Sequence, residues 1–110
     1  MDKTQILKGI LEGCILQIIE QESTYGYGIL ELLKRKGFLD ITEGTIYPLL
    51  IRLEKQGVIT AQLMSSPLGP KRKYYSLSEK GKDELKAFVN EWKRLERSVN
   101  SIVDGGRRNG

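Results

Sequence analysis

Glu43-Gly44-Thr45-Ile46-Tyr47-Pro48-Leu49-Leu50-Ile51-Arg52-Leu53-Glu54-Lys55-Gln56-Gly57 is the stretch on which the fold turns. Ile46, Leu49, Leu50 and Leu53 share one face of an α-helix, the spacing of a buried stripe. Thr42 just before the stripe, or Thr45 at its start, offers an N-cap oxygen, and Gly57 offers a stop. Pro48 constrains this helix, because proline removes a backbone donor and is best placed in a first turn. The helix either starts close before Pro48 or bends there. Gly44, four residues earlier, leaves space where the ring would press.

Downstream, residues 58–64 (VITAQLM) are rich in β-branched and apolar side chains and read as a strand. Residues 65–70 hold two prolines and a glycine, a turn. Residues 71–77 (KRKYYSL) read as the returning strand, so the pair is a hairpin with a basic arm. Upstream lie two more helices. In the first, Ile6, Leu7, Ile10, Leu11, Cys14, Ile15, Ile18 and Ile19 form one broad apolar stripe, with Gly9 and Gly13 beside it. Glycine in a helix interior costs about 1 kcal/mol against alanine. The pair is therefore either tolerated or makes room for something packed close. Ser23 or Thr24 is the expected cap of the second helix, which carries Tyr27, Ile29, Leu30, Leu32 and Leu33 and ends in Lys34-Arg35-Lys36 before Gly37. Residues 38–41 are an expected short extended link.

Ser78 is the expected cap of a last helix. From Leu85 its apolar residues fall at Leu85, Phe88, Trp92, Leu95, Val99 and Ile102, spacings of 3, 4, 3, 4 and 3. That is a heptad seam. The order helix, helix, helix, strand, strand, long helix is that of a winged helix-turn-helix followed by an added helix. The fold class expected is mostly α with a small β-hairpin. Residues 1–78 make the DNA-binding domain, residues 79–104 a C-terminal dimerisation helix, and residues 105–110 a tail without structure.

Composition narrows the functions. The 110 residues include no histidine and one cysteine, Cys14. Catalysis by histidine, a Ser-His-Asp triad, a Cys-His pair, an intrachain disulfide and a thiolate zinc site are all excluded. An enzyme would have to run on carboxylates, lysine or tyrosine alone, and none is expected; no cofactor or metal is implied. Apolar neighbours make Cys14 an inert core thiol. No stretch has the length and apolarity of a membrane span and the start is not a signal peptide, so a cytoplasmic protein is expected. The net charge is +4, yet residues 34–73 alone hold eight basic and three acidic side chains, a net of +5. The basicity is therefore concentrated in the segment that would read DNA. Lys34-Arg35-Lys36 reads equally as a solvated helix end, whereas for Lys71-Arg72-Lys73 a charged edge strand is the lesser alternative to phosphate contact.

Three blocks resemble the PadR family of transcriptional regulators: Tyr25-Gly26-Tyr27-Gly28-Ile29, the stretch from Glu43 to Gly57, and residues 72–81 (RKYYSLSEKG). The single C-terminal helix places the likeness in the short subgroup, whose members include a multidrug-binding repressor. The resemblance implies a dimeric repressor on a palindromic double-stranded DNA operator. In such a fold Thr42, Thr45 and Tyr47 open the reading helix, where their hydroxyls can meet phosphates. Of Tyr25 and Tyr27, one is expected in the core and the other on a phosphate. Arg52 reaches either DNA or a neighbouring acid. Lys71, Arg72 and Lys73 form the wing contact, with Arg72 foremost. The reading helix is poor in Asn, Gln and Arg near its start, so affinity should come mainly from phosphates.

The resemblance further implies that the long helix packs on the first helix of a second copy. Ile6, Gly9, Gly13, Phe88, Val89, Trp92, Leu95, Glu96 and Val99 then form the homodimer interface. In the multidrug-binding member, the matching tryptophan pair stacks on planar aromatic ligands in a central pore. Here Phe88 stands where that pore has a small residue, so two readings stay open: a filled interface, or a pore for a small aromatic ligand. The rival to DNA binding is a winged-helix protein-interaction module.

Overall fold

The computed structural model describes the backbone of residues 3–66 and 69–105, and side chains from residue 9 onward except residues 66–68. The elements are α1 (Lys3–Gln21), β1 (Thr24–Tyr25), α2 (Gly26–Arg35), α3 (Glu43–Lys55), β2 (Ile59–Ser66), β3 (Gly69–Leu77) and α4 (Glu79–Val103). The expected helices and hairpin are all present, so the chain is mostly helical with a small antiparallel sheet. Ile6 lies on a part of α1 whose side chains are outside the described residues, as are residues 106–110 of the expected tail.

The core forms where the helical stripes meet the base of the hairpin. Ile15 from α1, Ile29 and Leu33 from α2, Ile46 and Leu50 from α3 and Ile59 from β2 are its fully buried side chains. Cys14 and Ile18 pack on its margin. Leu49, read as part of the α3 stripe, is only partly buried against this core.

Three sequence expectations are corrected. Neither Ser23 nor Thr24 caps α2: Thr24 and Tyr25 form β1, which pairs with Tyr75 and Tyr74 of β3, and Tyr25 holds the N-cap position. The hairpin's backbone captures these residues, and a two-residue strand is too short to show periodicity. Residues 38–41 turn rather than extend: the Phe38 N–H returns to the Leu33 carbonyl at 3.0 Å, and Ile41 drops into the core. The hairpin also runs further than residues 58–64 and 71–77, with Ser66 pairing Gly69 past an irregularity after Met64. Pro70 fits within β3 because β1, the neighbour on its other side, reaches only Tyr74 and Tyr75.

The helix around Pro48 begins at Glu43, with Thr42 at the N-cap. Pro48 thus falls in the second turn, where its missing N–H forgoes the helical bond to the exposed Gly44 carbonyl. Gly57 ends α3 in a left-handed conformation, φ +78°, that favours glycine. The start of α4 is stapled onto this turn. Ser78 Oγ accepts from the Gly81 N–H at 3.0 Å and donates to the Gly57 carbonyl at 2.6 Å, and the Ser78 N–H donates to the Val58 carbonyl at 3.1 Å. A Cβ at Gly81 would collide with that same Val58 carbonyl, so only glycine lets the helix root here.

Only the first turns of α4 touch the domain. Gly81 and Leu85 are buried and Phe88 and Val89 half-buried, whereas Trp92 is 41% and Ile102 81% exposed. The projecting helix stretches the molecule to 58 × 29 × 21 Å.

Candidate nucleic-acid interface

A groove of about 490 Å³ opens between the start of α2, one face of α3 and the base of β3. Tyr25, Tyr27, Tyr47, Ile51, Arg72 and Lys73 line it, with Gly26 and Tyr75 at its floor. Tyr47 and Ile51 are one turn apart on α3 and therefore share its outward face. The Tyr47 ring packs closely against the start of α2: a Cβ at Gly26 would come 2.6 Å from its Cε1 and 3.1 Å from its hydroxyl. Gly26 thus holds the ring's apolar body while the side chain remains 38% exposed. Tyr27 projects outward beside Glu31, whose hydrogen bond and charge push its phenol pKa up.

The three wing cations are exposed, and sheet alternation directs them differently. The Arg72 guanidinium lies 4.6 Å from the centroid of the Tyr25 ring, which in turn packs on Tyr74 at 5.4 Å. Lys73, on the opposite face, reaches Glu54 of α3 at 3.4 Å. Thr42 and Thr45 are exposed at the opening of α3, and the Thr42 hydroxyl makes no capping bond.

The structure therefore gathers Tyr25, Tyr27, Tyr47, Arg72 and Lys73 around one groove, with Thr42 and Thr45 at the start of the same helix. Arg52 points elsewhere. Its guanidinium is ion-paired with Glu12 of α1, the acid-partner alternative left open by the sequence. Lys34, Arg35 and Lys36 stand at the far end of α2 from the groove, about 15 Å along its axis. Sequence reasoning missed Ile51 and Glu54. Ile51 broke no pattern, being one more apolar residue in an apolar run, and only its exposure marks it.

On the other side of the domain, Gly13 faces its own chain. A Cβ there would overlap the Phe88 ring, so the gap beside α1 is occupied by Phe88. Among the described residues, nothing lies within 4 Å of a Cβ at Gly9. Burial pushes the Cys14 thiol pKa up, away from the reactive thiolate. Among the described residues, no helix is long and apolar enough to cross a membrane.

Three helices closed by a two-stranded wing and a short third strand define a winged helix-turn-helix protein. A family model for the PadR-like transcriptional regulators matches residues 15–87, most of the chain, and the chain belongs to that family. It is similar to a PadR-like transcriptional regulator from Bacillus cereus, with 47% identity, TM-score 0.83, and coverage of 90% of this chain and 96% of that one. A Streptococcus transcriptional regulator matches at 45% identity, TM-score 0.83, and coverage of 90% and 97%. Bacillus subtilis PadR, solved in complex with operator DNA, matches at 28% identity and TM-score 0.67, covering 73% of this chain and 45% of that one.

Proposed function

We propose that the protein is a homodimeric repressor that grips a palindromic operator between the opening of α3 and the wing, and works in the cytoplasm. The observation that carries this reading is the convergence on one groove of α3's outward face, three tyrosines and two wing cations. Tyrosines there present an apolar body and a polar tip, and Arg72 and Lys73, with Lys71 beside them, supply the phosphate-neutralising charge. Thr42, Thr45, Tyr27 and Tyr47 are the hydroxyls nearest the helix opening. The operator-bound Bacillus subtilis PadR supports the assignment.

The test is a gel shift on the DNA upstream of the protein's own gene at two salt concentrations. A specific complex at low salt that weakens by orders of magnitude as salt rises is expected. Absence of any specific complex would leave the protein-interaction module as the reading.

The second half of the proposal is the dimer. Trp92, Leu95, Val99 and Ile102 leave an apolar stripe on the projecting part of α4, and a two-fold partner is the economical cover. Because Phe88 is tucked onto Gly13 of its own chain, Trp92, Leu95, Glu96 and Val99 are left to line the seam. That favours a slot able to take a planar aromatic ligand, whose binding would shift the angle between the long helices and hence operator affinity. Quenching of Trp92 fluorescence by a planar aromatic cation is the expected signal. A silent Trp92 across a varied panel would mean a closed seam.

A further inference from the structure

We infer that Tyr25 is a positioning residue for the wing: it serves DNA binding by holding the Arg72 guanidinium, and makes no DNA contact of its own. The inference rests on the reading of the wing as a DNA-contacting element. Tyr25, Tyr74 and Arg72 lie on one face of the sheet, because Tyr25 pairs with Tyr74 and Arg72 stands two residues before Tyr74 on β3. The Tyr25 ring is committed on several sides. Arg72 stands 4.6 Å from its centroid, Tyr74 packs at 5.4 Å, and the Cβ position of Gly28 lies 3.5 Å from its Cε1. Its backbone is committed too, as the last residue of β1 and the N-cap of α2. A side chain held by two elements and three neighbours is a fixed platform and does not swing out to follow a phosphate.

The geometry suits a guanidinium in particular. Stacking on an aromatic ring uses the flat face of the group, while all five N–H donors lie in its plane. Arg72 can thus rest on Tyr25 and still offer its donor edge to a phosphate, in the forked geometry a lysine lacks. A free arginine on an exposed strand would lose rotamer freedom on binding, and the ring removes part of that loss in advance.

The test measures binding to a fluorescein-labelled duplex recovered by the wild-type protein from a random pool, over a range of salt. Arg72→Ala should weaken binding and make the plot of log K against log salt shallower by about 0.9 for each bound chain. Tyr25→Phe keeps the ring and should match the wild type in both respects. Tyr25→Leu should weaken binding, yet cost nothing further when Arg72→Ala is already present. In the free protein, the Arg72 Nε–H resonance should sit upfield under the Tyr25 ring current, remain there in Tyr25→Phe and move to its random-coil position in Tyr25→Leu.

A Tyr25→Phe protein with weaker binding and a shallower slope overturns the inference, since the hydroxyl then touches DNA itself. So does a further loss from Tyr25→Leu on the Arg72→Ala background. If Tyr25→Leu fails to fold, Tyr25→Phe and the wild-type resonance decide. A wild type that recovers no duplex removes the DNA reading and this inference with it. A wild type that binds DNA but shows Arg72 at its random-coil position overturns this inference alone.

Discussion

Gly13 decides where Phe88 goes. The sequence presents Gly9 and Gly13 as a matched pair beside one stripe; the structure separates them, with no described residue close to a Cβ at Gly9 and an aromatic ring of the same chain filling the space at Gly13. Only the partner's size tells them apart, and nothing in local sequence shows that partner. Gly13→Ala forces the ring to move and should lower stability by about 1–3 kcal/mol, as overpacking does. The same substitution beside Phe88→Ala should cost much less, a coupling that urea unfolding of the four proteins measures. Tyr75 carries a second residue-scale consequence. Burial raises its phenol pKa, so the folded state holds the proton more tightly than the unfolded one. That stability is fully present below the unfolded value of about 10 and is lost as pH rises through the folded value. Unfolding midpoints should therefore fall as pH rises from about 10 toward the folded value, and Tyr75→Phe should flatten the fall.

At the scale of elements, α3 and the hairpin were legible because each carries a pattern longer than one turn or one strand pair. The stripe from Ile46 to Leu53 gave the helix, and the β-branched run with its basic return gave the wing. β1 was not legible, since Thr24 and Tyr25 become a strand only through Tyr75 and Tyr74, far along the chain. The site divides in the same way. Its tyrosines and cations could be named from their types and motif, but the partners that aim them could not. Arg52 and Lys73 are both basic residues in the reading segment, yet one is paired with α1 and the other with α3. The Lys73–Glu54 pair joins the wing to α3 at the solvent edge, where such pairs contribute only about 0–1 kcal/mol. Its larger effect is on charge: Glu54→Gln should release Lys73, tighten DNA binding and steepen the salt dependence while barely altering the melting temperature. An unchanged slope would mean that Lys73 does not meet phosphate.

For the whole molecule, the radius of gyration is 16.3 Å, against roughly 13 Å for a compact domain of this length. The excess is α4, whose outer turns leave the domain with their apolar side chains uncovered. Light scattering should give twice the chain mass, and Trp92→Glu, which sets two like charges at the seam, should shift the population toward the monomer. The root of that helix carries a mechanical consequence. Ser78 and Gly81 clasp Gly57 and Val58, and Val58 runs directly into β2. The arm and the wing therefore spring from a single fulcrum with no slack joint between them. In the proposed dimer, a small rocking of one arm against its twin would be delivered as a tilt of the wing against the operator, the domain turning as a crank.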